Sequence, residues 1–399
     1  MFATSAQKEN LFYNPIIIND TQIEFTELAE HVGIVRSVHG NLPHLVNRFA
    51  AHKKSLAAVL SCGVARGHRA NPMAGIKVES LYANSVLMSG LASLVLFSSE
   101  MSLVEQHYKD TLQNIQKLHQ NTPRSVVFFL AGCLPAQAIL HMKQLSLFGM
   151  IARLTEDPLN LHARNVLTTG KASSRSWVFQ VRDLCLRYLL PHPLKLLERP
   201  PRKAALKKLV KSHVIDYWEQ LLRSEASPLP SLLFFKSEFM SLTDPHPIWK
   251  TAGSNPYEVS KAIQQARLLS GRYRTESLCR HWSTNKHGWC LAPTCESEEE
   301  SVQHILITCR SYHSVREKHH AIWLNFPDQI IRKLLLGALV SPQNYRLQFL
   351  LDCSVLPDVI LASQEFGPVV FDSIFKLTRT YCYAVHRERL KMLGRWNQL

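Results

Sequence analysis

The sequence is poor in acidic residues, and it lacks both a secretory leader and a long uninterrupted hydrophobic run. It has 31 Asp and Glu residues against 46 Lys and Arg residues, which gives a formal net charge of +15 with its 19 histidines neutral. An excess of this size favours a polyanionic partner, most simply RNA, DNA or both. The alternative is a basic surface without a partner.

The N-terminus has no charged segment followed by an apolar core, so no secretory signal is indicated. An odd number of cysteines, nine, without such a signal indicates a reducing compartment. We therefore expect an intracellular protein, in the nucleus or the cytoplasm. The most apolar stretch, residues 78–97, contains Glu79, Asn84 and several serines. It predicts a buried core helix and no membrane span.

Apolar residues make up 46% of the chain and charged residues 19%, which is typical of a globular protein. Residues 10–38 predict short strands, the third of them over residues 30–36. From residue 41 onward the apolar periodicity is helical, for example over residues 41–60 and 102–119. The predicted fold class is therefore mainly α, with short N-terminal β-strands.

Three cysteines and one histidine are clustered within twenty residues, as two pairs with four residues between the members of each pair: Cys290 and Cys295, then His304 and Cys309. Thiolate and imidazole are the ligands that Zn²⁺ prefers, and four protein ligands predict a structural zinc site without an open position. The alternative is a chance proximity of thiols and one polar histidine. Cys279 and His281 lie just upstream and could compete as ligands.

The step of five residues from His304 to Cys309 does not stay on one face of an α-helix. The apolar helical run before Cys309 must therefore end or distort. Four glutamates lie between the two ligand pairs, and with three thiolates they make this region net negative. Phosphate groups are expected to approach from the side of residues 282–289 or past Arg310.

Residues 195–211 carry seven cations and one acidic residue. The apolar spacing predicts a helix with Leu206, Leu209 and Val210 facing inward and lysines facing outward. A cationic helix face suits phosphate contact, although charged runs are often only solvated surface. The candidate nucleic-acid-binding residues of this helix are Lys203, Lys207, Lys208 and Lys211.

Two other segments combine cations with features that suit nucleic acid. A glycine-containing loop holds Arg66 and Arg69 and could approach a phosphate backbone closely, or could be an ordinary solvated turn. Arg272 and Arg274, with Trp282, precede the zinc ligands, and an aromatic ring among cations could stack on bases.

The residues around the second ligand pair carry a resemblance to a known family. Residues 300–309, followed by Tyr312 and Arg316, resemble the zinc-binding region of reverse transcriptases near the C-terminus of non-LTR (LINE-type) retrotransposon polyproteins. The chicken-repeat-like elements are the most similar type. Residues 14–20 and 29–36 resemble the segment after the polymerase catalytic strand, and residues 53–118 resemble the helical thumb.

This resemblance implies a division of the chain into five regions: palm-remnant strands (1–40), a helical thumb-like domain (41–165), a basic helical connector (166–277), a reverse-transcriptase-type zinc-binding module (278–320) and a C-terminal helical region (321–399). Polymerases of this family carry a Tyr-x-Asp-Asp turn whose carboxylates hold two metal ions. The present sequence has ten dispersed aspartates and no adjacent Asp-Asp pair.

The resemblance therefore implies a truncated, nucleic-acid-binding C-terminal fragment of a retrotransposon reverse transcriptase, without catalytic residues of its own. Its expected partners are RNA or DNA, and the missing palm region or other retrotransposon components. The alternative is an RNA-directed DNA polymerase that is active only as part of a longer polyprotein.

Overall fold

The structure is a computed structural model that describes residues 26–38, 40–61, 70–170, 176–280, 287–295 and 298–394, with the backbone of residues 17–18 and 21–22. Most of these residues lie in helices, which confirms the predicted mainly α fold. The regular β-structure of the described part is four short strands: β1 Ile17–Ile18, β2 Thr21–Gln22, β3 Leu28–His31 and β4 Ile34–Ser37.

The α-helices of the described residues are numbered in chain order. They are α1 Leu42–Val59, α2 Pro72–Val78, α3 Asn84–Leu87, α4 Ser98–Ile115, α5 Arg124–Ala131, α6 Ala136–Ala152, α7 Pro158–Thr169, α8 Trp177–Arg187, α9 Pro193–Glu198, α10 Lys203–Ala226, α11 Pro247–Lys250, α12 Pro256–Leu269, α13 Glu276–Cys279, α14 His313–Leu324, α15 Gln329–Val340, α16 Gln343–Leu351, α17 Pro357–Phe366 and α18 Val369–Met392. Among the described residues, the π-helical turns Glu79–Ala83 and His304–Thr308 interrupt the α-helical pattern, and residues 60–61 are also π-helical.

The N-terminal strands form two antiparallel hairpins, β1 with β2 and β3 with β4. The prediction of a single strand over residues 30–36 is wrong, because the chain reverses at Val32 and Gly33. Both residues have positive φ angles, 51° and 73°, as a tight two-residue hairpin turn requires. A β-branched valine rarely adopts this conformation, so the residue types carry little signal for the turn.

The apolar stretch 78–97 is not the continuous buried helix that its composition predicts. It runs through the π-turn Glu79–Ala83, the single turn α3 and a short 3₁₀ turn, Leu91–Ser93. Gly90, at φ 76°, ends the helical path in the left-handed region. In the described residues, no single helix has the length and apolar composition of a membrane span, although the bent pair α5 and α6 together meet those two criteria.

The described residues fall into two compact units. Unit 1 is formed from Met1–Ser61, Val78–Tyr108 and Pro135–Trp218, and unit 2 from Cys62–Lys77, Lys109–Leu134 and Glu219–Leu399. The five regions implied by the family resemblance stay predictions.

Unit 1 is held together by buried aromatic and polar side chains. Tyr188 is fully buried, and its hydroxyl oxygen lies 2.6 Å from Nδ1 of His141. The same hydroxyl accepts a hydrogen bond from the indole N–H of Trp218 at 3.0 Å. Burial lowers the pKa of His141 to about 3, so its imidazole is neutral at pH 7 and contacts the tyrosine hydroxyl as an uncharged group. On α6, a Cβ on Gly149 would meet Leu206 of α10 at 2.1 Å, which shows how closely these helices approach.

Unit 2 is centred on α12 packed against the long C-terminal helix α18. The amide of Gln265 on α12 donates to the Leu350 carbonyl at 2.8 Å and lies 3.2 Å from the hydroxyl of Thr378 on α18. Glu258 accepts a hydrogen bond from the guanidinium of Arg379 at 2.9 Å. These contacts fix α18 against α12.

Candidate metal centre

The first ligand pair is positioned by a short antiparallel pairing of the chain with itself. The Cys290 amide donates to the Glu298 carbonyl at 2.7 Å, and the Glu300 amide donates to the Gly288 carbonyl at 3.0 Å. Between these strands, a turn returns the chain so that the Cys295 amide donates to the Ala292 carbonyl at 3.0 Å. Both cysteine side chains point inward and are buried.

The second ligand pair is positioned by the π-turn His304–Thr308. The Cys309 amide donates to the His304 carbonyl at 2.8 Å, which is the i to i+5 hydrogen bond of a π-helix. Cys309 itself is no longer helical, with φ −56° and ψ 120°. The predicted distortion before Cys309 is confirmed, and it brings residues five apart to the same side of the chain.

The structure brings the four predicted ligands together. One ligand atom from each of Cys290, Cys295, His304 and Cys309 lies within 4.8 Å of the others, and all four residues are buried. The Cys309 sulfur is 3.9 Å from that of Cys290 and 3.6 Å from that of Cys295. A tetrahedral zinc with Zn–S bonds of about 2.3 Å would separate its sulfurs by about 3.8 Å. The cluster can therefore hold a metal ion, and its spacing is consistent with zinc.

The two nitrogens of the His304 ring have different surroundings. Nδ1 lies 2.9 Å from a carboxylate oxygen of Glu298 and 3.2 Å from the hydroxyl of Thr308. Nε2 is buried and has no hydrogen-bond partner among the described residues. A metal-binding histidine commonly donates its other N–H to a carboxylate, which fixes the ring. Nε2 is thus the nitrogen suited to a metal, and the donor set fits a zinc ion.

The thiols of the cluster differ in acidity. Burial raises the pKa of Cys309 to about 12 and also raises the pKa of Cys290 above its usual range. Burial opposes ionisation of Cys295 as well, but hydrogen bonds from the Arg310 amide and from Cys309 lower its pKa overall. A bound divalent cation would reverse this balance by stabilising three thiolates, so metal binding must release protons.

Helices α14 and α18 hold the second ligand pair in place. Arg316 on α14 donates to the Cys309 carbonyl at 2.7 Å, and the hydroxyl of Tyr381 on α18 donates to the Leu306 carbonyl. Both residues are largely buried. The resemblance includes Arg316, and the structure gives this residue a direct backbone contact with a predicted ligand.

A buried ion pair fixes the end of the first ligand segment, and sequence reasoning missed it. Glu300, which is fully buried, accepts two hydrogen bonds from the guanidinium of Arg389 on α18, at 2.8 and 3.0 Å. Glu300 also accepts from the Glu276 amide at 2.6 Å. Burial opposes the charge of Arg389, but the bonds to Glu300 dominate and raise its pKa. One of the four glutamates assigned to an acidic loop is therefore neutralised.

Cys279 and His281 are the nearby residues that could compete for the metal. Cys279, at the end of α13, does not belong to the group of side chains close enough to share an ion. His281 lies outside the described residues, as do Trp282, Arg66 and Arg69. The predicted contributions of these residues to metal or nucleic-acid binding stay predictions.

The structure places the four candidate lysines on the first two turns and a half of α10. All four are exposed, while Leu206 and Val210 are buried and Leu209 is half-buried, as the sequence predicts. None of the four lysines has a carboxylate partner among the described residues. Arg272 and Arg274 lie instead in unit 2, in the loop after α12.

Comparisons of the chain with protein-family models, with curated proteins and with solved structures found no match. The chemistry of the cluster and the distribution of charge are therefore the basis for inferring a function.

Proposed function

We propose that this chain is a nucleic-acid-binding protein whose C-terminal unit is stabilised by a structural zinc ion. The observation that carries the proposal is the lysine stripe of α10, formed by the exposed residues Lys203, Lys207, Lys208 and Lys211, which have no carboxylate partner among the described residues. Unpaired cations on one helix face can each neutralise a phosphate and release a condensed counterion.

The proposed metal is Zn²⁺, held by Cys290, Cys295, Cys309 and the Nε2 atom of His304. Four protein ligands would leave no coordination position for water or substrate, so the proposed role is structural. The ion would supply the fixed centre around which two short segments, each too small to fold alone, are organised.

The resemblance extends the proposal to a family. On its terms the chain corresponds to the C-terminal part of a non-LTR retrotransposon reverse transcriptase, whose thumb grips a template–primer duplex and whose zinc module contributes to binding RNA or DNA. The absence of an adjacent Asp-Asp pair from the sequence supports a binding role without polymerase chemistry. Primer extension with Mg²⁺ by the chain alone should yield no incorporation.

The alternative function is RNA-directed DNA polymerase activity as part of a longer polyprotein. The same resemblance favours it, because the family's catalytic carboxylates precede the region that this chain resembles. Nucleotide incorporation by the chain only when a palm region is supplied in trans would support the alternative, whereas incorporation by the isolated chain would contradict the non-catalytic proposal.

A salt titration tests nucleic-acid binding directly. Replacing Lys203, Lys207, Lys208 and Lys211 together by Gln should weaken binding to duplex DNA and to an RNA hairpin. On duplex DNA the slope of log K against log salt should become shallower by about 3.6, because each of the four lost phosphate contacts removes about 0.9 from the slope. Fluorescence anisotropy at about 50 to 200 mM salt would measure it.

The matched control removes the same charge from exposed lysines on other helices: Lys54, Lys318, Lys333 and Lys376. Binding to a general positive field would fall equally in both variants. An equal loss, or an unchanged slope in the α10 variant, would contradict the assignment of the lysine stripe as the binding surface.

A further inference from the structure

Unit 2 contains a polar cavity of about 510 Å³ that the proposed function does not use. Its walls come from the end of α4 and the following turn, from α12 and the loop after it, and from α18. The charged or polar lining residues are Asn114, His119, Gln120, Gln264, Arg267, Arg272, Tyr273, Arg274, His386 and Arg389. Four of them are arginines, and none of these lining residues is acidic.

Three of these arginines have no counter-ion among the described residues. Arg267 donates its Nε–H to the Lys117 carbonyl at 2.8 Å, and Arg274 lies 3.3 Å from Nε2 of His119. The Nε atom of Arg272 is buried without a hydrogen-bond partner among the described residues. Within that part of the chain, none of the three has a carboxylate partner. Their guanidinium groups therefore bring uncompensated positive charge to one cavity.

The fourth arginine provides an internal comparison. Arg389 lines the same cavity, but its charge is compensated by the bidentate pair with Glu300. The imidazoles add no charge at neutral pH. Burial, followed by the nearby arginines, lowers the pKa of His119, and burial lowers the pKa of His386 to about 4. The excess charge at the cavity therefore comes from Arg267, Arg272 and Arg274.

Arg267 and Arg272 are half-buried. Guanidinium groups that are removed from water without a counter-ion are costly unless a ligand neutralises them. The planar N–H fork of arginine matches two oxygens of a phosphate group, and several such forks around one cavity favour a dianionic or more highly charged ligand. The side-chain oxygen of Gln264, buried without a partner among the described residues, adds an acceptor for a ligand hydroxyl.

We propose that the Arg267–Arg272–Arg274 cavity is a binding site for a phosphate-bearing ligand. Two sources present the same chemistry, a free oligophosphate and the terminal phosphate of a nucleic-acid strand, and the cavity volume suffices for either. Only the second source depends on the proposed nucleic-acid function. The cavity uses none of the residues of the lysine stripe.

The first experiment uses pyrophosphate and the zinc-loaded full chain, with zinc content measured after each titration. Isothermal titration calorimetry should show binding to the wild-type chain, at least about 10-fold weaker binding to R272Q/R274Q, and an intermediate loss for R272K/R274K. Lysine keeps the charge but loses the bidentate fork. The charge-matched control K318Q/K333Q, with exposed lysines of the same unit, should bind as the wild type does.

The second experiment distinguishes the two sources. A short DNA oligonucleotide with a 5′-phosphate and the same strand with a 5′-hydroxyl are compared on wild type and R272Q/R274Q. A preference for the phosphorylated strand that the variant loses assigns the site to strand ends. Pyrophosphate binding without that preference assigns it to free oligophosphate, and supports the cavity proposal even if the lysine-stripe titration fails.

Thermal unfolding of every variant, followed by circular dichroism, shows whether a loss of binding comes from a folded protein. Because the Arg274 side chain is exposed, the R274Q variant should unfold at the same temperature as the wild type. It should nevertheless bind pyrophosphate several-fold more weakly. No pyrophosphate binding by the wild type at millimolar concentration would overturn the proposal. Equal affinity in wild type and a folded R272Q/R274Q or R274Q variant would overturn it as well.

Discussion

The metal cluster and the arginine cavity of unit 2 favour ligands of opposite charge. The cluster gathers three thiols and an imidazole, which need a cation before the thiols ionise. The cavity gathers three arginines, which need an anion. The comparison shows that, among the described residues, neither group contains the opposite charge that would neutralise it, although other charges of this unit are paired, as in Lys261–Glu258–Arg379.

The Glu300–Arg389 pair connects the two sites. Glu300 ends the segment that carries the first ligand pair, and Arg389 contributes to the cavity wall. The pair removes one carboxylate from the neighbourhood of the thiols and one cation from the cavity. It also ties α18 to the ligand-bearing segment.

Removing the metal should break the comparison most strongly. Structural zinc contributes about 10–16 kcal/mol to the folding of isolated zinc fingers at neutral pH. Chelation, or Cys295→Ser, should therefore abolish zinc retention and unfold the ligand segments, as measured by elemental analysis and circular dichroism. Cys279→Ser is the control, because Cys279 lies outside the cluster. Zinc retained by Cys295→Ser but lost by Cys279→Ser would contradict the ligand assignment.

Breaking the Glu300–Arg389 pair should give the next largest effect. Glu300→Gln leaves a buried guanidinium with a neutral partner, and loss of one member of a buried ion pair typically costs about 3–5 kcal/mol. Denaturant unfolding of the zinc-loaded chain measures the change. Glu388→Gln on the same helix removes an exposed partner of Lys391 and should cost less than about 1 kcal/mol. Similar losses in the two variants would show that the buried pair contributes no more to the free energy of unfolding than the exposed pair does.

The smallest expected effect is the release of protons from the cysteines when zinc binds. The pKa values of Cys309 and Cys290 lie above their usual range because of burial, so at neutral pH both carry protons before metal binds. Zinc binding should then release about two to three protons, and zinc affinity should rise with pH. Calorimetry in two buffers of different ionisation enthalpy counts the protons. Release of fewer than one proton would exclude thiolate ligation by these cysteines.

The sequence is sufficient to predict features that depend on residues close together along the chain. The four ligands lie within twenty residues, and the distortion before Cys309 follows from the five-residue step alone. The buried and exposed faces of α10 follow from its apolar spacing. In each of these cases the local geometry of the chain determines the structure, and long-range packing does not change it.

Features built from distant residues could not be predicted in this way. Glu300 and Arg389 are separated by 89 positions, and the cavity combines segments around His119, Arg272 and Arg389. The basic character of Arg272 and Arg274 is visible in the sequence, but their enclosure depends on helices far along the chain. The turn at Val32 escapes prediction for a different reason, since valine at positive φ contradicts the usual residue preference.

The π-turn His304–Thr308 makes the spacing of the second ligand pair intolerant of length changes. Each residue of a regular α-helix advances the chain by about 100° around its axis. Inserting one residue into this turn would make the step from His304 to Cys309 six residues, about 600° around an α-helix, and would place His304 on a different face from Cys309. Insertions in this stretch should therefore be far more damaging than substitutions, even of residues that never touch the ion.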